Sequence, residues 1–269
     1  MSKTVLITGA SSGIGKAIGN FLHQKGYRVI GTSRSPQKYA DSVPFSLLQL
    51  DVTDPASISA LAKEVAEKYD RLDVLVNNAG VGITGPLEET PNDEVRKAFE
   101  TNYFGPLQLI QDVLPMMREQ GSGCIINITS IAGYMGLPYR GIYSATKGAL
   151  EITTEAYRME LKQFGISMTN VAPGDFATNI AAGRYHAPVV KGSPYEQAYG
   201  DTLKMMNEHV DHGSDPLEMA KAVARIIETP KPKVHYRVGA FLQKFSIVLK
   251  RILPDTWYER MLMNHYKLK

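Results

Sequence analysis

Short, unbroken apolar runs alternate along the chain with longer stretches in which apolar residues recur every three or four positions. TVLIT (4–8), YRVIGTS (27–33), SLLQLDV (46–52), DVLVNNAG (73–80), CIINITS (124–130) and SMTNVAPG (167–174) are rich in β-branched residues and mostly lack polar alternation. Such runs predict strands buried on both faces, as in a parallel sheet covered by helices. Between them, GIGKAIGNFLHQKG (13–26), PASISALAKEVAEKY (55–69), residues 91–119 and GIYSATKGALEITTEAYRMELKQFG (141–165) carry a helical period. Pro55 opens the second of these helices. The third is expected to break or kink near Gly105-Pro106, and Gly165 closes the fourth. This alternation predicts an α/β fold with a doubly wound parallel sheet and helices on both faces.

Residues 174–215 have no clear period and read as a long loop, functional or mobile. A helix resumes near Pro216, HYRVG (235–239) reads as a last strand, and FLQKFSIVLKRIL (241–253) reads as helix. No internal repeat or linker divides the chain. The expected organisation is one domain: residues 1–230 with a lid at about 174–215, then 231–269 as last strand and basic helical extension of the same domain.

The 269 residues are 43% apolar and 21% charged, which suits a globular chain with a substantial core. A single cysteine, Cys124, forbids an intrachain disulfide and suits a reducing compartment, so a cytoplasmic location is expected. Cys124 heads an apolar run and reads as a small core residue. The N-terminus is too short in apolar residues for a signal peptide. No stretch approaches the roughly 18 apolar residues of a membrane span. A net charge of +3 is too weak to argue for nucleic acid. The charge is uneven, however: residues 231–269 are +7, which leaves −4 on the rest.

TGASSGIG (Thr8–Gly15) joins the first strand to the first helix, with Gly9, Gly13 and Gly15 around Ser11, Ser12 and Ile14. Glycines let backbone approach a pyrophosphate, which then sits at the helix N-terminus. This placement favours a dinucleotide site on a Rossmann-type sheet over a merely structural turn. An acid about 20 residues further on usually meets the ribose of NAD. Here Ser33 and Arg34 stand at that point, and an arginine suits a 2′-phosphate, so NADP(H) is expected rather than NAD(H). Asp51-Val52 ends the third strand, where a carboxylate can accept from an adenine amino group; a helix-capping role near Asp54 competes. The small residues of NNAG, with Asn78, Ala79 and Gly80, leave room for a flat ring or ribose.

YSATK (Tyr143–Lys147) sets a phenol and an ammonium one helical turn apart on one face. A tyrosine ordinarily keeps its proton to about pH 10. A neighbouring cation favours the phenolate, which equips the pair for acid/base work. A lone Tyr-x-x-x-Lys is more often a plain surface pair.

TGASSGIG, NNAG, TNYFG (101–105), Ser130, YSATK and APG (172–174) together resemble the short-chain dehydrogenase/reductase family, in its order and spacing, over about residues 3–230. The resemblance implies Tyr143 as general acid or base, with Lys147 supporting it and holding the nicotinamide ribose. It implies Ser130 as donor to the substrate oxygen and Asn102 as holder of a water linking Lys147 to solvent. Pro173 and Gly174 would flank the nicotinamide, and Thr178 would bind its carboxamide. Hydride passes directly to or from the ring, so no metal is required. Residues 209–212 read HVDH, with Asp215 after them, and are taken as solvated side chains rather than a metal site.

SIAGYMGLPYRGIYSATKGALE (130–151) resembles the hydroxysteroid and retinol dehydrogenase branch. That implies a bulky apolar ketone or alcohol held by Met135, Leu137, Tyr139 and a lid whose apolar residues include Phe176, Tyr185, Tyr195, Tyr199, Met205 and Met206. A 3-oxoacyl or small-carbonyl reductase is the alternative within the family, and a non-catalytic dinucleotide sensor the alternative outside enzymes. The family's two long helices, here about 95–118 and 143–163, imply a homodimer or homotetramer. In the tail, Phe241, Phe245, Val248 and Ile252 share one helical stripe, joined by Leu242 and Leu249, with Lys244, Lys250 and Arg251 beside it. Such a helix suits an anionic membrane; packing on the body or in a dimer is the favoured reading.

Overall fold

The structure is a computed structural model that describes residues 2–176, 183–211 and 213–268, without the side chains of 207–211. Its elements run β1 (Thr4–Ile7), α1 (Gly13–Gln24), β2 (Arg28–Ser33), α2 (Pro36–Tyr39), β3 (Ser46–Gln49), α3 (Pro55–Lys68), β4 (Val74–Asn77), β5 (Ile83–Thr84), α4 (Asn92–Phe99), α5 (Gly105–Glu119), β6 (Gly123–Ile128), α6 (Gly141–Leu161), β7 (Ile166–Pro173), β8 (Tyr185–His186), α7 (Glu196–Asp211), α8 (Leu217–Glu228), β9 (His235–Val238), α9 (Phe241–Ile252) and α10 (Asp255–His265).

Seven strands form one parallel sheet in the order β3-β2-β1-β4-β6-β7-β9. Winding runs outward from β1 in one direction and from β4 in the other. Alternate strand residues explain why the runs are apolar throughout. Val5, Ile7, Val74, Val76 and Ile126 meet Ile18 and Leu22 of α1 and Val223 and Ile227 of α8. Leu6, Leu75 and Ile125 meet Ile58 and Leu61 of α3 and Leu109 and Val113 of α5 on the other face. Cys124 sits in register with Val74 and packs against the first of these clusters.

The helix over 91–119 is interrupted at Gly105-Pro106 as expected, but the interruption is not a bare proline break: a five-residue π turn, Glu100–Phe104, separates α4 from α5, which has Pro106 in its first turn. Gly105 is required by packing, because a Cβ there would come 2.1 Å from Val52 O. The stretch 174–215 is also not all loop. It contains β8, paired with β5, and the 16-residue helix α7. Gly200 and the polar residues around it hide the period, yet Tyr199, Thr202 and Met206 are buried at i, i+3 and i+7. Tyr199 Oη donates to Ala187 O at 2.9 Å and ties α7 to the segment after β8.

At the other end, α9 and α10 pack on a third cluster through Ile247 and Tyr258, against Ile131, Met135 and Ala172. Tyr258 Oη donates to Met135 Sδ at 2.6 Å. Met135 therefore serves to seat the C-terminal helices rather than to line an open cleft, and Leu137 is partly buried beside it.

Candidate active site

A cavity of about 490 Å³ lies over the carboxyl ends of β1 and β4, where the strand order reverses. It runs from Ser33, Arg34 and Lys38 at one end to Tyr143, Lys147 and Pro173 at the other. A larger open groove of about 770 Å³, at the β3 edge near His23 and Phe45, contains none of the predicted site residues.

Gly9, Ser11, Ser12 and Ile14 line the floor. Gly9 (φ 66°) and Gly13 (φ 53°) adopt left-handed backbone that side chains resist. Gly15 lies behind them, where a Cβ would come 2.4 Å from Gly9 O and 2.5 Å from Asn78 Nδ2. Thr8 stitches the two central strands together. Its Oγ1 accepts from the backbone N–H of Asn78 and of Ala79, both at 2.9 Å, while Asn78 Nδ2 donates to Thr8 O at 2.9 Å. Ser12 is the N-cap of α1, but its hydroxyl caps nothing and the first turn holds no acid. The N-terminal amides and the positive end of the helix dipole are thus left for an anion such as a pyrophosphate.

At the far end Ser33, Arg34, Ser35 and Lys38 form a basic corner. Asp51 lines the cavity with Val52, and its Oδ1 accepts from Thr53 N (2.9 Å) and Thr53 Oγ1 (2.7 Å). Burial works against the ionised form, but the Thr53 hydrogen bonds and the Arg34 charge hold the Asp51 carboxyl below its usual range. The capping competitor resolves separately: Asp54, not Asp51, caps α3 by accepting from Ala56 N at 3.0 Å.

Tyr143 and Lys147 stand one turn apart near the start of α6 and both face the cavity. Lys147 is buried, and its Nζ donates to Ile128 O at 3.0 Å. Burial pushes the ammonium below the ordinary lysine range, and the Tyr143 and Glu151 side chains oppose that. Gly80 packs tightly here: a Cβ would come 3.1 Å from Asn102 Oδ1 and 3.3 Å from Lys147 Nζ, so either side chain would have to give way slightly. Asn102 is fully buried in the π turn. Its Oδ1 accepts from Val81 N (2.8 Å), and its Nδ2 donates to Val81 O (2.9 Å) and Thr146 Oγ1 (3.1 Å). The π turn therefore locks the chain after β4 to α6 directly beside Lys147. Ser130, at the end of β6, is buried and accepts from Ala132 N at 3.2 Å, which holds its side chain in place. Pro173 ends β7 at the cavity wall. Gly174 follows, packed so closely on Gln243 that a Cβ would overlap the amide oxygen. Thr178 lies outside the described residues, as do the side chains of His209 and His212.

Several residues at the site carry no obvious mark in the sequence. Lys38 joins Arg34 from the adjoining turn of α2; its spacing of four was the available signal. Arg140 sets its guanidinium 5.4 Å from the Tyr143 ring centroid. Arg184 crosses Gly82 from the start of β8, reaching where a Cβ would sit 2.8 Å from its Nε. Burial, and then the Arg140 charge, hold that guanidinium below its usual range. Nothing local announces Arg184, which reaches the site only through the β5–β8 pairing.

The cavity fits a dinucleotide. It has glycines where side chains would obstruct, open helix amides midway, a basic corner at one end and a phenol with a buried ammonium at the other. The family model described as short chain dehydrogenase matches residues 3–188. A 3-ketodihydrosphingosine reductase of Bacteroides thetaiotaomicron is 36% identical over 266 residues, covering 98% of each chain. Among solved structures, a short-chain dehydrogenase from Streptomyces avermitilis superposes with a TM-score of 0.85 at 34% identity, covering 99% of this chain and 96% of that one. An alcohol dehydrogenase of Thermococcus sibiricus, complexed with 5-hydroxy-NADP, has a TM-score of 0.72 at 26% identity, covering 90% and 97%.

Proposed function

The chain belongs to the short-chain dehydrogenase family, and from that premise we propose that it is an NADP(H)-dependent oxidoreductase acting on a bulky, lipid-like ketone or alcohol. The observation that carries this reading is the placement of Tyr143 and the buried Lys147 at the end of the dinucleotide cavity opposite Arg34 and Lys38.

The glycine loop and the open first turn of α1 would hold the pyrophosphate, and Asp51 would meet the adenine. Arg34 and Lys38 would bind the 2′-phosphate, with Ser33 beside them. The bound nicotinamide supplies or accepts the hydride. In reduction Tyr143 Oη gives its proton to the carbonyl oxygen, and in oxidation it takes the hydroxyl proton. Ser130 donates a hydrogen bond to the same oxygen and stabilises the charge that builds there. Lys147 supports the phenolate that Tyr143 passes through. Asn102 steadies the backbone beside Lys147 and holds the water that returns its proton.

The substrate class rests on one full-length relative, which is named as a reductase of 3-ketodihydrosphingosine. A homodimer or homotetramer through the long helices suits the exposed Ile152 and Met159, two turns apart on one face of α6, and the exposed Phe104 between α4 and α5. The lone cysteine suits the cytoplasm.

Initial rates of NADPH and NADH oxidation against a ketone panel test the reading. The panel holds 3-ketodihydrosphingosine, an oxosteroid, retinal, a 3-oxoacyl thioester and a small diketone, with Tyr143→Phe as control. Turnover of a lipid ketone with NADPH, abolished in Tyr143→Phe, is the expected result. Turnover of only the thioester or the diketone would overturn the substrate class. Tight NADPH binding with no turnover anywhere on the panel would favour a dinucleotide sensor.

A further inference from the structure

Leu249 packs against the third cluster, but the rest of the tail stripe stays off the body of the protein. Phe241 is 72% exposed, Leu242 77% and Ile252 73%, with Phe245 and Val248 exposed between them. The Phe241 and Phe245 rings stack on one another at 5.7 Å instead of entering the core. The opposite side of α9 makes the contacts, through Ile247 and Gln243. Trp257, at the start of α10, is a further 67% exposed. An exposed apolar patch of this kind marks an interaction surface.

Helical spacing places Lys244 and Arg251, seven residues apart, along one edge of the stripe. Arg260 and Lys267 add exposed cations on and after α10. Lys250, on the inner side, is already paired with Asp255 at 2.9 Å. Two occupants could cover such a face. A second copy docked stripe to stripe with its α9 antiparallel would bring the Lys244 and Arg251 rows of both chains together, like charge against like. An anionic lipid surface satisfies the apolar stripe and the basic edge at once. We propose that α9 and the start of α10 form a docking surface for an anionic membrane, with Phe241, Leu242, Phe245, Val248, Ile252 and Trp257 entering the headgroup layer and Lys244 and Arg251 at its edge.

The same helix belongs to the active site on its inner side. Gln243 Nε2 donates to Asp175 Oδ2 at 2.7 Å, and its Oε1 accepts from Asp175 N at 3.2 Å, next to Gly174 at the end of the dinucleotide cavity. One face of α9 thus braces the site while the other meets lipid, which would place the substrate entrance close to the bilayer. No helix among the described residues is long and apolar enough to cross a membrane. Contact is therefore in-plane and salt-sensitive.

Vesicle co-sedimentation tests this with the full chain and no substrate, so its outcome is independent of the turnover assay. The probes are vesicles of phosphatidylcholine alone and of phosphatidylcholine with phosphatidylglycerol, at low salt. The intact chain is expected to bind the anionic vesicles and to be released by salt. The triple variant Phe241→Ser, Leu242→Ser, Ile252→Ser should lose at least about tenfold in binding. Lys244→Ala with Arg251→Ala should lose roughly thirtyfold at low salt. Every substituted side chain is surface-exposed or at the stripe edge, so both variants should keep their thermal transition and their turnover of a soluble ketone. An intact chain that stays in the supernatant overturns the proposal, as does a triple variant that binds like the parent. Equal binding to neutral and anionic vesicles overturns the anionic assignment. A triple variant that breaks an oligomer, with no vesicle binding by the parent, assigns the stripe to contact between copies instead.

Discussion

The Nδ1 of His235 lies 2.8 Å from Oε2 of Glu151. The same imidazole sets Nε2 3.0 Å from Glu155 Oε1, so the last strand spans two turns of the helix that carries Tyr143 and Lys147. Glu151 is buried and also accepts from Thr129 Oγ1 and, at 3.1 Å, from Asn170 Nδ2. One carboxylate therefore ties β6, β7 and β9 to α6. Thr129 precedes Ser130, and Glu151 is one turn beyond Lys147, so the cluster supports two members of the proposed catalytic set from behind.

This cluster makes stability depend on pH with a definite sign. The hydrogen bond to Glu151 raises the His235 pKa above its ordinary value; burial works the other way, and Glu155 adds to the rise. A raised pKa stabilises the fold fully below the unfolded value of about 6.5 and loses that contribution as pH climbs through the folded value. A hydrogen bond to a charged partner contributes roughly 1.5–3 kcal/mol. His235→Gln should therefore lower the unfolding free energy by about that amount near pH 5.5 and by much less near pH 9. Urea titrations of both proteins across this range check it. A deficit that does not change with pH would mean His235 packs in its neutral form.

Glu151→Gln tests the electrostatic link to Lys147. Burial lowers the Lys147 pKa, while Tyr143 and Glu151 raise it. Removing the Glu151 charge lets burial act with less opposition, so the ammonium should lose its proton at lower pH. The alkaline fall of kcat/KM should move to lower pH in Glu151→Gln. An unmoved limb with reduced kcat at every pH would make Glu151 a purely structural tie. Lys147→Met should cost at least about a hundredfold in kcat/KM near neutrality.

Packing behind the dinucleotide loop predicts a sharp contrast between two glycines. A Cβ on Gly15 meets Gly9 O and Asn78 Nδ2 at 2.4 and 2.5 Å, whereas one on Gly136 meets nothing within 4 Å. Overpacking of this kind costs about 1–3 kcal/mol. Gly15→Ala should lose that much stability and weaken NADPH binding, since the strained atoms belong to the loop and its anchor. Gly136→Ala should melt within a degree or two of the parent. Thermal melts with and without NADPH distinguish the two.

How much of this was legible in the sequence depended on whether a residue's role is local. The strand runs and the helices of β1–β4 were readable because each element declares its own burial pattern. TGASSGIG, Asn102, Ser130 and YSATK were readable as a series because the family resemblance fixed their order. Helix α7 was not, because Gly200 and a polar face blur its period while the residues it buries, Tyr199 and Met206, look like lid aromatics. Arg184 and Glu151 were invisible for another reason: their partners, Gly82 and Arg140 for one, Thr129, Asn170 and His235 for the other, come from distant segments. The exposure of most of the α9 stripe runs against the expected packing on the body, because the fold seats the side of the helix that bears Ile247 and Gln243, whose partners come from distant segments.

Arg34 tests the cofactor preference. It stands exposed at the end of β2 beside Ser33 and Ser35, with Lys38 lining the same corner. A charge-assisted hydrogen bond to a 2′-phosphate from an exposed arginine is screened by water, which puts its contribution at the lower end of the usual range, about tenfold in affinity. Arg34→Ala should therefore raise the KM for NADPH about tenfold and leave that for NADH nearly unchanged. Arg34→Asp should go further, because a carboxylate repels the phosphate and can accept from the ribose hydroxyls of NADH. Added salt should narrow the parent's preference, and do so less steeply in Arg34→Ala, where Lys38 is the cation left in the corner. A parent enzyme that prefers NADH, or an Arg34→Ala variant that keeps the NADPH preference intact, would remove Arg34 from cofactor selection and leave Lys38 as the residue to test next.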